Sequence, residues 1–213
     1  MTKSIKLILM RHGNTFAPPD TPVQVGSRSD LPLVEFGKEQ ALKASQFFVE
    51  NNYHFNQIYS GPLKRQQESA DIISRSFKLK PYITSALNEI DYGLWEGKTV
   101  EEIKSKWPED YDKWHNSATW PNQTFKRTLQ EHLLLIKNWL TAIWNYHNDK
   151  AIILALTSNG IIRLFLYYSN LNWNKLIVEN QMSNYKVSTG HFCELTLFKE
   201  NGLLVNSWNR KPV

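Results

Sequence analysis

The chain has 213 residues, 41% of them hydrophobic and 21% charged, a balance that excludes a disordered segment and is ample for one sizeable core. Lys and Arg number 25 against 20 Asp and Glu, for a formal charge of +5 and a sequence pI of about 9.2. The cations are scattered and form no stripe, so no nucleic-acid partner is expected; a solvated basic surface and a pocket for phosphorylated substrates are the two readings of the charge.

A single cysteine, Cys193, excludes an internal disulfide framework and a cysteine-based zinc site, and fits a reducing, cytoplasmic setting. The first apolar run, IKLILM, is β-rich and suits a buried central strand. It is too short for a signal-peptide core or a membrane span, so no membrane partner is expected. It stops at Arg11-His12-Gly13, which sets a cation beside an imidazole and then a residue that lets the backbone approach a ligand closely. The stretch EFGKEQALKASQFFVENN places Ala41, Ala44, Phe47 and Phe48 on one helical face. A short strand, NQIYS, follows, and then a helix from about Leu63 to Ser76. Arg65 lies at the start of that helix, where free backbone N–H groups and a guanidinium favour an anion, unless it is a plain surface arginine.

The segment LNEIDYGLWEG reads as loop. It leads to a short helix near Thr99–Lys106, a Trp-rich segment, and a long helix from about Thr124 to Tyr146. AIILAL is a second buried strand, GIIRLFLYYS a helix, and HFCELTLF and GLLVNSW are late strands. Strands alternating with helices predict one α/β domain, a three-layer sandwich with a mainly parallel central sheet flanked by helices. Ligands in such sheets collect beyond the carboxyl ends of the strands. That rule singles out RHGNT, SGPLKR and TSNG as strand ends converging on one pocket.

Four segments, LMRHGNT, GSRSDLPLVEFGKEQA, IYSGPLKRQQESADII and LNEIDYGLWEG, resemble in order and spacing the histidine phosphatase superfamily, which includes cofactor-dependent phosphoglycerate mutases, fructose-2,6-bisphosphatases and α-ribazole phosphatases. The resemblance covers nearly the whole chain. It implies a phosphoglycerate mutase-like fold over residues 1–213, with a Trp-rich cap region around 99–146. The Trp-Glu-Gly form of the fourth motif is more like the phosphatase branches than the mutases. The function implied is hydrolysis of a small phosphorylated substrate through a phosphohistidine on His12. A phosphoryl-ligand binding protein of the same fold, and a phosphoglycerate mutase, are the alternatives.

By this resemblance His12 is the nucleophile, with its other ring N–H held by a hydrogen bond that fixes the tautomer. Arg11 and Arg65 match the phosphate clamp. Glu89 matches the acid that protonates the leaving oxygen and later activates water, which needs a raised pKa in a pocket to which Tyr92 and Trp95 contribute. The scheme calls for no metal and no cofactor, and a homodimer is left open.

The chain departs from the family pattern in two places. The family's asparagine beyond the first motif falls at Pro18, which leaves Asn14 and Thr15 as nearby donors. TSNGIIR aligns with the family's S-H-G-G-V-I-R, so Ser158 stands at the second catalytic histidine; a shift of one residue puts Asn159 there instead. A donor of that kind is worth about 10²–10³ in rate, so weak activity is expected. His191, in STGHFCELTLF, either leans into the space that Ser158 leaves or packs away from it. The superfamily's region after the fourth motif tends to cap the pocket. Trp107, Trp114 and Trp120 either line such a cap, suiting an apolar or planar leaving group, or cover a sheet edge or dimer surface.

Overall fold

A computed structural model describes residues 3–171, 173–179, 181–199 and 202–213. The chain runs β1 (Ile5–Arg11), α1 (Glu35–Glu50), β2 (Gln57–Ser60), α2 (Lys64–Phe77), β3 (Tyr82–Ile83), α3 (Val100–Lys106), α4 (Pro108–Ser117), α5 (Leu129–Tyr146), β4 (Ile152–Thr157), α6 (Asn159–Leu164), α7 (Trp173–Val178), β5 (Phe192–Leu197) and β6 (Leu203–Arg210). The strands form one six-stranded sheet in the order β3-β2-β4-β1-β5-β6. Strands β1 to β4 pair in parallel, and β5 and β6 join antiparallel at one side.

The period-two alternation of each strand divides the core between the two faces of the sheet. Leu7, Leu9, Ile153 and Ala155 pack with Ile136, Leu140 and Ile143 of α5 on one face. Ile8, Met10, Leu154 and Leu156 pack with Phe48 of α1 and Ile73 of α2 on the other. Both faces of β1 are therefore covered, which is why IKLILM is apolar without alternation. The mainly parallel three-layer α/β architecture is the one the sequence predicts.

Three local features differ from the sequence expectation. The long helix begins at Leu129, not Thr124: Thr128 Oγ1 accepts from the Glu131 N–H at 3.3 Å and the Glu131 carboxylate accepts from the Thr128 N–H at 2.8 Å, a capping box that fixes the start. Within the Trp-rich segment, Pro108 opens the separate helix α4 from its first turn. Strand β3 has only two residues, both exposed, and leaves no periodic signature. No helix among the described residues is long and apolar enough to cross a membrane.

What positions the site is the register of the parallel strands. Arg11 of β1 pairs with Thr157 of β4, and Ser60 of β2 with Leu156. The residues just after these strand ends therefore share one rim of the sheet.

Candidate active site

The loop leaving β1 stays stitched to that rim, because the His12 N–H donates to the Thr157 carbonyl at 3.0 Å. It also lies directly on the first turn of α1. A Cβ on Gly13 would sit 2.1 Å from the Gly37 carbonyl oxygen, and one on Gly37 2.2 Å from the Asn14 carbonyl oxygen, so both positions must lack a side chain.

This holds His12 buried, with two defined partners. Its Nδ1 lies 2.7 Å from the Gly13 carbonyl oxygen, an acceptor, so Nδ1 carries the proton. Its Nε2 accepts from Arg65 Nε–H at 3.2 Å, so Nε2 keeps its lone pair. Burial, and then the charges of Arg11 and Arg65, hold the imidazole well below its ordinary pKa of 6.5. The ring is neutral, and its Nε2 lone pair is engaged by a guanidinium.

Arg65 is 1% exposed and is oriented by two backbone carbonyls, Nη1 on Ser29 at 2.6 Å and Nη2 on Gly26 at 3.1 Å. Three of its five N–H groups are thereby used and two remain for an anion. Arg11 Nη1 donates to the Val187 carbonyl at 2.7 Å, while its buried Nε has no partner among the described residues. Glu89 is also buried. Its Oε1 accepts from its neighbour's N–H, that of Ile90, at 2.9 Å. Burial raises the Glu89 pKa above 4.5 despite the opposing pull of the Ile90 amide, Arg65, Arg11 and the Gly160 amide. Gly160 of α6 packs against this carboxyl: a Cβ there would meet Glu89 Oε1 at 2.6 Å and the Tyr92 hydroxyl at 2.7 Å.

These groups line a single cleft of about 570 Å³, which brings together Arg11, His12, Arg65 and Glu89 with Asn14, Thr15 and Asn159. Asn14 is fixed by its backbone N–H on Gln40 Oε1 at 2.9 Å, and its Oδ1 accepts from Thr189 Oγ1 at 2.5 Å. The Oδ1 of Asn159 accepts from the Val187 N–H at 2.7 Å, which orients its Nδ2 donors. Val187 thus positions both Arg11 and Asn159.

Two expected members are not brought in. The Ser158 side chain is fully buried beneath the rim and does not line the cleft; its Oγ accepts from Gln66 Nε2 at 3.0 Å. His191 does not fill the space either. Its Nδ1 is bound to the Asn209 carbonyl at 3.1 Å on the neighbouring strand β6, and it does not line the cleft. Strand pairing at the sheet's antiparallel side has claimed the ring.

Of the expected cap, Val100, Tyr111 and Trp114 line the cleft, while Trp107, Trp120 and helix α5 pack into the core. Trp95 is fully buried against Tyr111 and Phe125 and does not line the cleft. Sequence reasoning missed His115, Arg163 and Lys186, which also line it. A cation inside the otherwise apolar GIIRLFL was the available signal for Arg163.

A family model for the histidine phosphatase superfamily (branch 1) matches residues 7–210. Phosphoserine phosphatase 1 of Hydrogenobacter thermophilus is 37% identical over 110 residues, 52% of this chain and 50% of that protein. The 2,3-bisphosphoglycerate-dependent phosphoglycerate mutase of Buchnera aphidicola is 32% identical over 121 residues, 55% of this chain and 52% of that one. These matches span about half the length of each relative. The solved structure of a mycobacterial glucosyl-3-phosphoglycerate phosphatase has the same fold, with a TM-score of 0.80 at 19% identity over 97% of this chain and 99% of its own.

Proposed function

Because the chain belongs to the histidine phosphatase superfamily, we propose that it hydrolyses small phosphomonoesters through a phosphohistidine on His12 Nε2. The observation that carries this reading is the pair of fixed partners on one imidazole: the Gly13 carbonyl holds Nδ1–H, and Arg65 faces the Nε2 lone pair. A phosphoryl group entering between Nε2 and Arg65 takes over that guanidinium, and Arg11 adds a second one. The N–P bond forms as the P–O bond to the leaving group breaks, and Glu89 gives its proton to the departing oxygen. The Glu89 carboxylate then takes a proton from water as its oxygen attacks phosphorus. The N–P bond breaks, phosphate leaves, and both residues return to their starting forms. Asn159 Nδ2 supplies a neutral donor where the family's second histidine would supply a charged one, which makes the chemistry slower.

The phosphatases among the relatives support hydrolysis over mutase transfer. A phosphoryl-ligand binding protein is the second reading, and the burial of Ser158 beneath the rim favours it. The protonatable, buried Glu89 weighs against it, since ligand binding alone has no use for a proton donor.

Hydrolysis of an alkyl and an aryl phosphomonoester without added metal tests the proposal. In the alkyl case kcat/KM should fall as pH rises through the elevated Glu89 pKa, because the protonated carboxyl is the active form. It should persist below pH 6.5, because His12 stays neutral there. His12→Ala should lower kcat/KM at least about 10³-fold. Turnover no greater than that of His12→Ala leaves the binding reading alone.

A further inference from the structure

The carbonyl that orients Arg11 belongs to the peptide unit joining Val187 to Ser188. That unit is planar, with its C=O and N–H pointing in opposite directions, so whatever holds the N–H also aims the C=O. The Ser188 N–H donates to Asn209 Oδ1 at 2.8 Å. One peptide is thereby held between the cleft and strand β6, with Arg11 Nη1 on its oxygen at 2.7 Å and Asn209 on its nitrogen. Because the buried Arg11 Nε has no partner among the described residues, this carbonyl is the guanidinium's defined anchor.

Asn209 reaches Ser188 because β6 is irregular there. Between the pairs Glu194↔Ser207 and Phe192↔Arg210 the ladder advances two residues along β5 and three along β6, so β6 bulges by one residue. Asn209 takes up the bulge in the left-handed region, φ +53°, which asparagine tolerates better than most residues. Its main chain is tied at both ends: its N–H donates to Cys193 Sγ at 3.4 Å, and its carbonyl accepts from His191 Nδ1 at 3.1 Å. His191 does not line the cleft, yet it fixes the residue that reaches back toward it.

We propose that Asn209 is a positioning residue for the anion clamp: the bulge in β6 turns its amide oxygen onto the Ser188 N–H and so sets the Val187 carbonyl against Arg11. Asn209 does not line the cleft and acts through Arg11. The role rests on reading Arg11 as part of that clamp, which hydrolysis and plain phosphoryl binding share.

Inorganic phosphate is the probe that tests this, its affinity read from the rise in Tm that it causes at constant ionic strength. Asn209→Gly accepts the left-handed backbone and removes only the amide, so the variant should fold. Its Kd for phosphate should rise about fivefold to tenfold. Asn209→Asp keeps the acceptor and should restore most of that affinity. In an Arg11→Ala background, Asn209→Gly should weaken phosphate by less than about twofold further, because the group it aims has gone. An affinity that Asn209→Gly leaves unchanged, or a loss of the same size with and without Arg11, overturns the proposal. Phosphate binding that follows the expected pattern in a protein that turns over no ester would count against hydrolysis and leave the positioning role standing.

Discussion

The resemblance offers two positions for the family's second histidine, Ser158 and Asn159, and the space around Ser158 is already occupied. Gln66 Nε2 donates to Ser158 Oγ and to the Leu87 carbonyl, both at 3.0 Å, and its Oε1 accepts from the Leu63 N–H at 3.2 Å. Gln66 and Ser158 are both fully buried. An imidazole at Ser158 would overpack this pocket, so Ser158→His should cost about 1–3 kcal/mol, a Tm loss of roughly 2–12 °C. Gln66→Ala opens the room that the larger ring needs. The double variant should therefore lose less stability than the sum of the two single losses, with a coupling of about 0.5–3 kcal/mol in a denaturation cycle. Strict additivity would show that the two sites are independent. His12, Arg11, Arg65 and Glu89 were legible because each sits inside a contiguous motif. Gln66 and Arg163 were not, since the partners that place them, Ser158 and Leu87 for the one and Trp114 for the other, come from distant segments. The place of His191 stayed open for the same reason: its Asn209 partner lies across a strand pair that no local pattern reveals.

At the level of elements, the catalytic loop depends on how closely it can approach α1. Gly37 lies in the first turn of that helix, where Gly→Ala ordinarily stabilises by about 0.5–1 kcal/mol. Here a Cβ would stand 2.2 Å from the Asn14 carbonyl oxygen, backbone that cannot rotate aside. The loop carrying His12 and Asn14 must then move. Gly37→Ala should reverse the usual sign, lowering Tm, and should lower kcat/KM by about 10-fold or more, since displacements near 1 Å can cost 10²-fold. A variant with unchanged Tm and turnover would show that the close approach is not required. The elements themselves were legible where periodicity was strong, as in the apolar runs of β1 and β4 and the amphipathic α1 and α2. The start of α5 was displaced because a tight turn ending at the Thr128 cap, not an apolar residue, sets it. Helix α4 was hidden because its apolar face is made of aromatic residues spaced among charges, with only Trp114 buried.

Across the whole molecule, four parallel strands deliver three loops to one rim, and four cations of a chain with a net charge of +5 line the cleft there. The scattered Lys and Arg of the sequence gave no sign of this concentration, because Arg11, Arg65, Arg163 and Lys186 are far apart along the chain. The parallel α/β architecture was legible from the alternation of elements, and the rim from the rule that ligands collect at strand ends. The hydrolase reading of the cleft turns on whether the neutral His12, with its proton on Nδ1, accepts a phosphoryl group at Nε2. The direct measurement is to quench the protein rapidly during turnover of a phosphomonoester labelled at phosphorus and to map the label by peptide mass spectrometry. Acid-labile, base-stable phosphate is expected on the peptide containing His12, present in the wild type and absent from His12→Ala. Steady turnover with no phosphate trapped on His12 at any quench time, or label on another residue, would contradict it.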